Sequence, residues 1–148
     1  MSGWEHGLAR MRLEHAMLVG PEEGVGLVQK SLGWARAHYI PGMETEALAY
    51  LARTLLRLRR VEEALEYSAL ALKRLNTFPP PSTGLGLARY EALKGAGEPL
   101  AGQMLQKALD WVDHVAQQHV PQEFRQGYLS QNPINAEVLR LGRLEGLS

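Results

Sequence analysis

Three times along this chain two small residues stand seven positions apart: Gly24 with Ser31, Ala64 with Ala71, and Ala101 with Ala108. The units they mark are offset by 40 and then 37 residues. A second self-similarity runs with the first, for Gln29-Lys30-Ser31-Leu32-Gly33-Trp34 returns as Gln106-Lys107-Ala108-Leu109-Asp110-Trp111. Repetition at such a period belongs to chains built from supersecondary units that bury their apolar faces only against one another. Small residues at fixed places in each unit are where two backbones approach closely. No other feature restricts the possible folds as much.

The period inside each unit is helical. Leu48, Leu51, Leu55 and Leu58 recur at steps of three and four, as do Val61, Ala64, Leu65, Leu72 and Leu75. Met104, Leu105, Ala108, Trp111, Val112 and Val115 repeat the pattern. Breaks fall at Gly20-Pro21, Pro41-Gly42, Phe78-Pro79-Pro80-Pro81-Ser82, Gly95-Ala96-Gly97 and Val120-Pro121. Proline cannot continue a helix, and glycine relaxes its end. No strand-like alternation runs for any useful length. The expectation is one all-α domain over 1–148. It holds three helix-turn-helix units near 5–39, 43–76 and 84–119, then a C-terminal cap within 122–146. In that cap Asn132 is placed to cap a helix opened by Pro133, with Ile134, Val138 and Leu141 as its apolar stripe.

The totals restrict function. A chain of 148 residues buries roughly 70% of its unfolded surface, so it needs no staple. Cysteine is absent, which removes disulfides, thiolate metal sites and cysteine nucleophiles. Sixteen basic and sixteen acidic residues cancel, without the basic excess usual in proteins that grip phosphate backbones. The N-terminal residues lack a basic start followed by an apolar core, and apolar runs fall far short of the ~20 residues that cross a bilayer. A cytoplasmic location is expected.

In the middle unit Leu48, Leu51, Ala52, Leu55, Ala64 and Ala71 resemble the tetratricopeptide repeat in residue type and spacing. The resemblance extends over roughly 8 to 119. The first unit departs from it at Arg12 and His15, where a small and a large apolar residue stand in the family pattern. It implies an α-α superhelix, a tetratricopeptide-like solenoid, whose concave groove holds a peptide or protein segment. On the first helix of each repeat, it assigns groove contacts to Glu46, Ala49, Arg53, Leu56 and Arg57 in the middle unit. In the third unit the corresponding positions are Thr83, Gly86, Tyr90, Leu93 and Lys94. Of these, Glu46, Arg53, Leu56, Arg57, Tyr90 and Lys94 are the candidate partner-binding residues, and they suit an acidic or mixed amphipathic segment. Replacing Arg53 and Arg57 together by Glu is expected to abolish capture with the helices intact. The family also has a version that clamps a terminal carboxylate with Lys and Asn, but no asparagine stands at a matching position here.

The tail, Val120-Pro121-Gln122-Glu123-Phe124-Arg125 with Tyr128-Leu129 and Asn132-Pro133-Ile134-Asn135, resembles the end of helical-repeat regions in large bacterial signalling regulators. Multidomain transcriptional activators are among them. That likeness implies a role in bacterial signalling or transcription control, with another domain of the same regulator as a further candidate partner. Other readings are a sensory domain that binds a small effector, and nucleic-acid binding through Arg53, Arg57, Arg59 and Arg60. Self-association through apolar end faces is open.

Enzymatic readings find nothing to stand on. Glu22-Glu23 and Glu62-Glu63 open helices, where carboxylates meet the positive end of the dipole. His114 and His119 are five apart rather than the four of a zinc-binding helical pair. No serine sits in a Gly-x-Ser-x-Gly turn, and no phosphate-binding loop is present. Neither a catalytic residue nor a metal or cofactor is expected. Trp34 and Trp111, equivalent in their units, are expected to pack at unit junctions.

Overall fold

The computed structural model describes residues 3–75 and 83–147. The break expected at Phe78–Ser82 lies outside them. Eight helices make up the described residues, with no strand among them: α1 (Gly3–Ala16), α2 (Pro21–Ala37), α3 (Pro41–Arg57), α4 (Val61–Leu75), α5 (Thr83–Gly95), α6 (Ala101–His119), α7 (Gln122–Gln131) and α8 (Pro133–Leu144). The fold is all-α.

Local chemistry sets most of these ends. Pro21, Pro41 and Pro133 occupy the first turns of α2, α3 and α8, where a missing N–H costs nothing. Asn132 caps α8, its side-chain oxygen accepting from the Ile134 and Asn135 amides at 3.0 and 3.1 Å. Four C-termini close through a residue at positive φ, followed by an amide that reaches five residues back. Glycine fills that place at Gly97 and Gly146, but Tyr39 (φ 56) and Arg59 (φ 61) fill it elsewhere. The closing bonds run from Ile40 to the Ala35 carbonyl at 2.9 Å and from Arg60 to that of Leu55 at 3.0 Å. The turn between α3 and α4 therefore has neither glycine nor proline. Apolar phase alone gives it away in the sequence.

The helices pack mainly on neighbours in the chain. Helix α1 lies on α2 and α3; α3 also touches α2, α4 and α5. Helix α4 covers α3 and α5, and α5 meets α6 and α8. The first helices of the three pairs thus stand side by side, α1 beside α3 and α3 beside α5. After α5 the next neighbour in that row is α8, with α7 held against α6 and α8. One apolar cluster joins α1 through α5, and a second joins α5, α6 and α8.

All six small residues of the repeat pattern are buried. A Cβ on Gly24 would lie 2.6 Å from the Ala16 carbonyl oxygen, so α2 crosses the end of α1 at backbone contact. Ser31, one heptad on, donates its hydroxyl to the Ala9 carbonyl at 2.7 Å. In the third pair a Cβ on Gly86 would stand 3.2 Å from that of Ala108. Between α6 and α8 the same closeness recurs at Gly142, where a Cβ would come within 2.8 Å of Leu109.

Two glycines of α2 separate the effects of contact and flexibility. Gly24→Ala drives a methyl into backbone and lowers unfolding free energy by about 1–3 kcal/mol. Gly26 has open space where its Cβ would be, so Gly26→Ala raises stability by about 0.5–1 kcal/mol through helix propensity. Urea denaturation of both variants checks the opposed signs, and a stabilising Gly24→Ala removes the close approach.

Candidate interaction trough

The row of first helices carries stripes at helical spacing that face a common space. Helix α1 contributes Arg10 and Glu14, four positions apart, and Met17 and Leu18 follow in the turn. Helix α3 contributes Glu46, Ala49, Tyr50 and Arg53, and α5 contributes Gly84 and Leu87. Trp111 and Val115 of α6 also reach this space. Tyr128 and the segment Asn132 to Asn135 form the far wall. Together these residues line a trough of about 890 Å³ with predominantly apolar walls.

Two ion pairs run between the helices of the floor. Arg10 of α1 grips Glu46 of α3 with two bonds, 2.7 and 3.3 Å long. Arg53 of α3 holds Glu91 of α5 with its Nε at 2.6 Å, and both side chains are largely shielded from solvent. Each arginine in the trough thus already has its carboxylate.

Other polar groups there are unspent. The Tyr50 hydroxyl has no hydrogen-bond partner among the described residues, and its ionisation is pushed above 10.0 by burial, then by the Glu46 and Glu14 carboxylates. Asn135 is 3% exposed. Its amide nitrogen donates to the Tyr128 carbonyl at 3.1 Å, which fixes the orientation of the amide. Its side-chain oxygen accepts nothing from the described residues.

The six candidate contacts divide. Glu46 and Arg53 line the trough. Leu56 packs where α3 meets the end of α5, with its Cδ1 2.8 Å from where a Gly95 Cβ would stand. Arg57 turns away to the end of α1, donating to the Val19 carbonyl at 3.0 Å and reaching that of Ala16 at 3.4 Å. Tyr90 is buried and donates to Glu145 at 3.3 Å, while Lys94 reaches the same carboxylate oxygen at 3.0 Å. The Lys94 ammonium holds the Glu145 carboxyl below its ordinary range, first through that hydrogen bond and then through charge. The side chain of Thr83 lies outside the described set.

In this geometry Arg53→Glu with Arg57→Glu also removes contacts between helices, so the double variant loses stability as well as two groove charges. The first change sets Glu beside Glu91, and the second brings a carboxylate to the negative end of α1. The basic run also disperses: Arg53 goes to Glu91, Arg57 to the α1 carbonyls and Arg60 to Glu63. Of the tryptophans, Trp34 stacks on His38 with ring centres 4.7 Å apart, at the edge of the first core cluster. Trp111 instead faces the trough. The contacts missed in sequence, Tyr50 above all, follow from one signal: 46, 49, 50 and 53 share a helix face.

Among the described residues no group of three His, Asp or Glu side chains gathers to hold a metal ion. No helix among them is long and apolar enough to cross a membrane. Compared with protein-family models, curated proteins and solved structures, the chain matches none.

Two measurements check this account. Arg57→Glu alone lowers unfolding free energy by about 1 kcal/mol, the worth of a charged hydrogen bond reduced by exposure; unchanged urea unfolding would refute the cap. Tyr50 keeps its proton longer folded than unfolded, so its contribution is complete below 10.0 and fades as pH rises through the higher native value. Tyr50→Phe removes one late phenolate step from the ultraviolet titration and lessens the alkaline loss of stability. Near neutral pH it changes stability by about 0.5 kcal/mol or less.

Proposed function

We propose that this chain is an interaction module of tetratricopeptide-like, superhelical architecture whose trough takes a segment of another protein, or of another domain of its own regulator. The observation that carries this reading is the trough itself. Its apolar walls include Tyr50, Trp111 and Tyr128, and no part of the described chain fills it. An apolar concavity rimmed by polar groups is the usual form of a binding site, and Tyr and Trp are among the residues that dominate interface energy. The row of α1, α3 and α5 behind it supports the tetratricopeptide likeness, since the first helices of that family's repeats line its groove. A role in bacterial signalling or transcription control is supported by the likeness of the tail alone.

The test begins with peptides selected from a display library against the full chain. Bound peptides shift the amide resonances of Ala49, Leu87 and Ile134 most, and Trp111→Ala weakens them by about thirtyfold, the size of an interface hot spot of about 2 kcal/mol. The circular dichroism of the variant stays that of the parent. Shifts centred on another face of the protein would refute the proposal.

A small effector is the second reading, favoured by a volume within the roughly 300–1,000 Å³ usual for small-molecule sites. A melting temperature that rises with a metabolite, and no protein present, separates it from the first.

A further inference from the structure

The polar groups in the trough are not balanced, and their imbalance says what a bound segment must bring. Both arginines are committed within the chain, Arg10 to Glu46 and Arg53 to Glu91. Neither remains free to neutralise an incoming carboxylate. What is unspent is of the opposite kind. Glu14 lines the space, and its exposed carboxylate accepts no hydrogen bond among the described residues. The Asn135 oxygen, in a side chain 3% exposed, likewise lacks a donor. The Tyr50 hydroxyl, without a partner among the described residues, can donate or accept and so does not discriminate. Of these groups the Asn135 oxygen is the buried one, and a ligand N–H can bond to it where a carboxylate, an acceptor only, cannot.

Charge points the same way. With Arg53 neutralised by Glu91, the remaining lining charges are Arg10 against Glu14 and Glu46. After burial, Glu46 and Glu14 hinder ionisation of the Tyr50 phenol there, while Arg53 and Arg10 ease it. The faces of Tyr50 and Trp111 suit a cation as well, since a ring face attracts a Lys or Arg head group. A bare cation would leave Leu87, Val115 and Ile134 without contacts, so the apolar walls call for apolar side chains beside the charge.

We propose that the trough selects a cationic amphipathic segment, with apolar side chains flanking a lysine or arginine that meets Glu14, and not an acidic one. This inference rests on the reading of the trough as a groove for a protein segment, and it reverses the charge preference that the arginines of α3 suggest from sequence.

The test uses the full chain and two fluorescein-labelled amphipathic peptides. Both carry Leu and Trp on one face; one has a central Lys and the other a Glu in its place. By fluorescence anisotropy the Lys peptide binds about tenfold tighter or more, a difference in scale with a close interfacial charge pair. Glu14→Gln abolishes the preference at unchanged circular dichroism. Glu22→Gln, on the exposed start of α2 outside the trough, preserves it. Equal or tighter binding of the Glu peptide overturns the inference but leaves the groove standing. A Lys preference that survives Glu14→Gln assigns the selectivity to diffuse surface charge and overturns it too. Failure of both peptides to bind removes the groove reading, and the inference with it.

Discussion

The closeness with which one helix backbone passes another governs this structure. Gly24 lies against the Ala16 carbonyl, Ser31 bonds to the Ala9 carbonyl, and Gly86 meets Ala108. These contacts leave almost no room for side chains on that side of each pair. The larger residues are therefore displaced to the flanks, where Leu48, Leu51 and Leu55 knit one pair to the next. A row of first helices follows, each presenting its remaining face in the same direction. The trough is a consequence of that spacing.

Placing such faces side by side has an electrostatic consequence. Charged residues on adjacent helices of a row look at each other across the helix gap before they look at a ligand. Arg10 finds Glu46, and Arg53 finds Glu91, each pair joining helices some 36 or 38 residues apart in sequence. The Arg53–Glu91 pair is largely shielded and so exceeds the small worth of a solvated surface pair, while Arg10–Glu46 is more exposed and contributes less. They also hold the floor in register. Stability and recognition draw on the same side chains here, and what serves the first is withdrawn from the second.

Much of this was legible in the sequence, and the limits have physical causes. The all-helical fold followed from the three-and-four spacing of leucines and from prolines at helix starts. The Asn132 cap was legible because capping is local. The turn at Arg59 was not marked by its residue types, since a left-handed arginine carries no compositional sign. The candidate contacts fared according to reach. Glu46 and Arg53 stand on the face toward the trough, as helical phase alone requires. Tyr90 and Lys94 engage Glu145, fifty or so residues on, after a tail helix that packs against α5 where α7 would come next in order. No period in the chain encodes that displacement.

The same displacement explains why the far wall of the trough belongs to the tail. With α8 against α5 and α6, the α7–α8 turn brings Tyr128, Ile134 and Asn135 opposite α1 and α3. Asn135 is fixed twice, by its own amide at the Asn132 cap and by its side-chain nitrogen at the Tyr128 carbonyl. Those bonds leave its oxygen without a donor among the described residues. A rigidly held acceptor that lines the trough makes its hydrogen bond with what occupies that space, water or ligand. Glu14 lines the same space from α1, its carboxylate without a hydrogen bond among the described residues while Arg10, one turn away, bonds to Glu46. The acceptor character of the trough thus arises from two ends of the chain, through bonds that each end makes for reasons of its own.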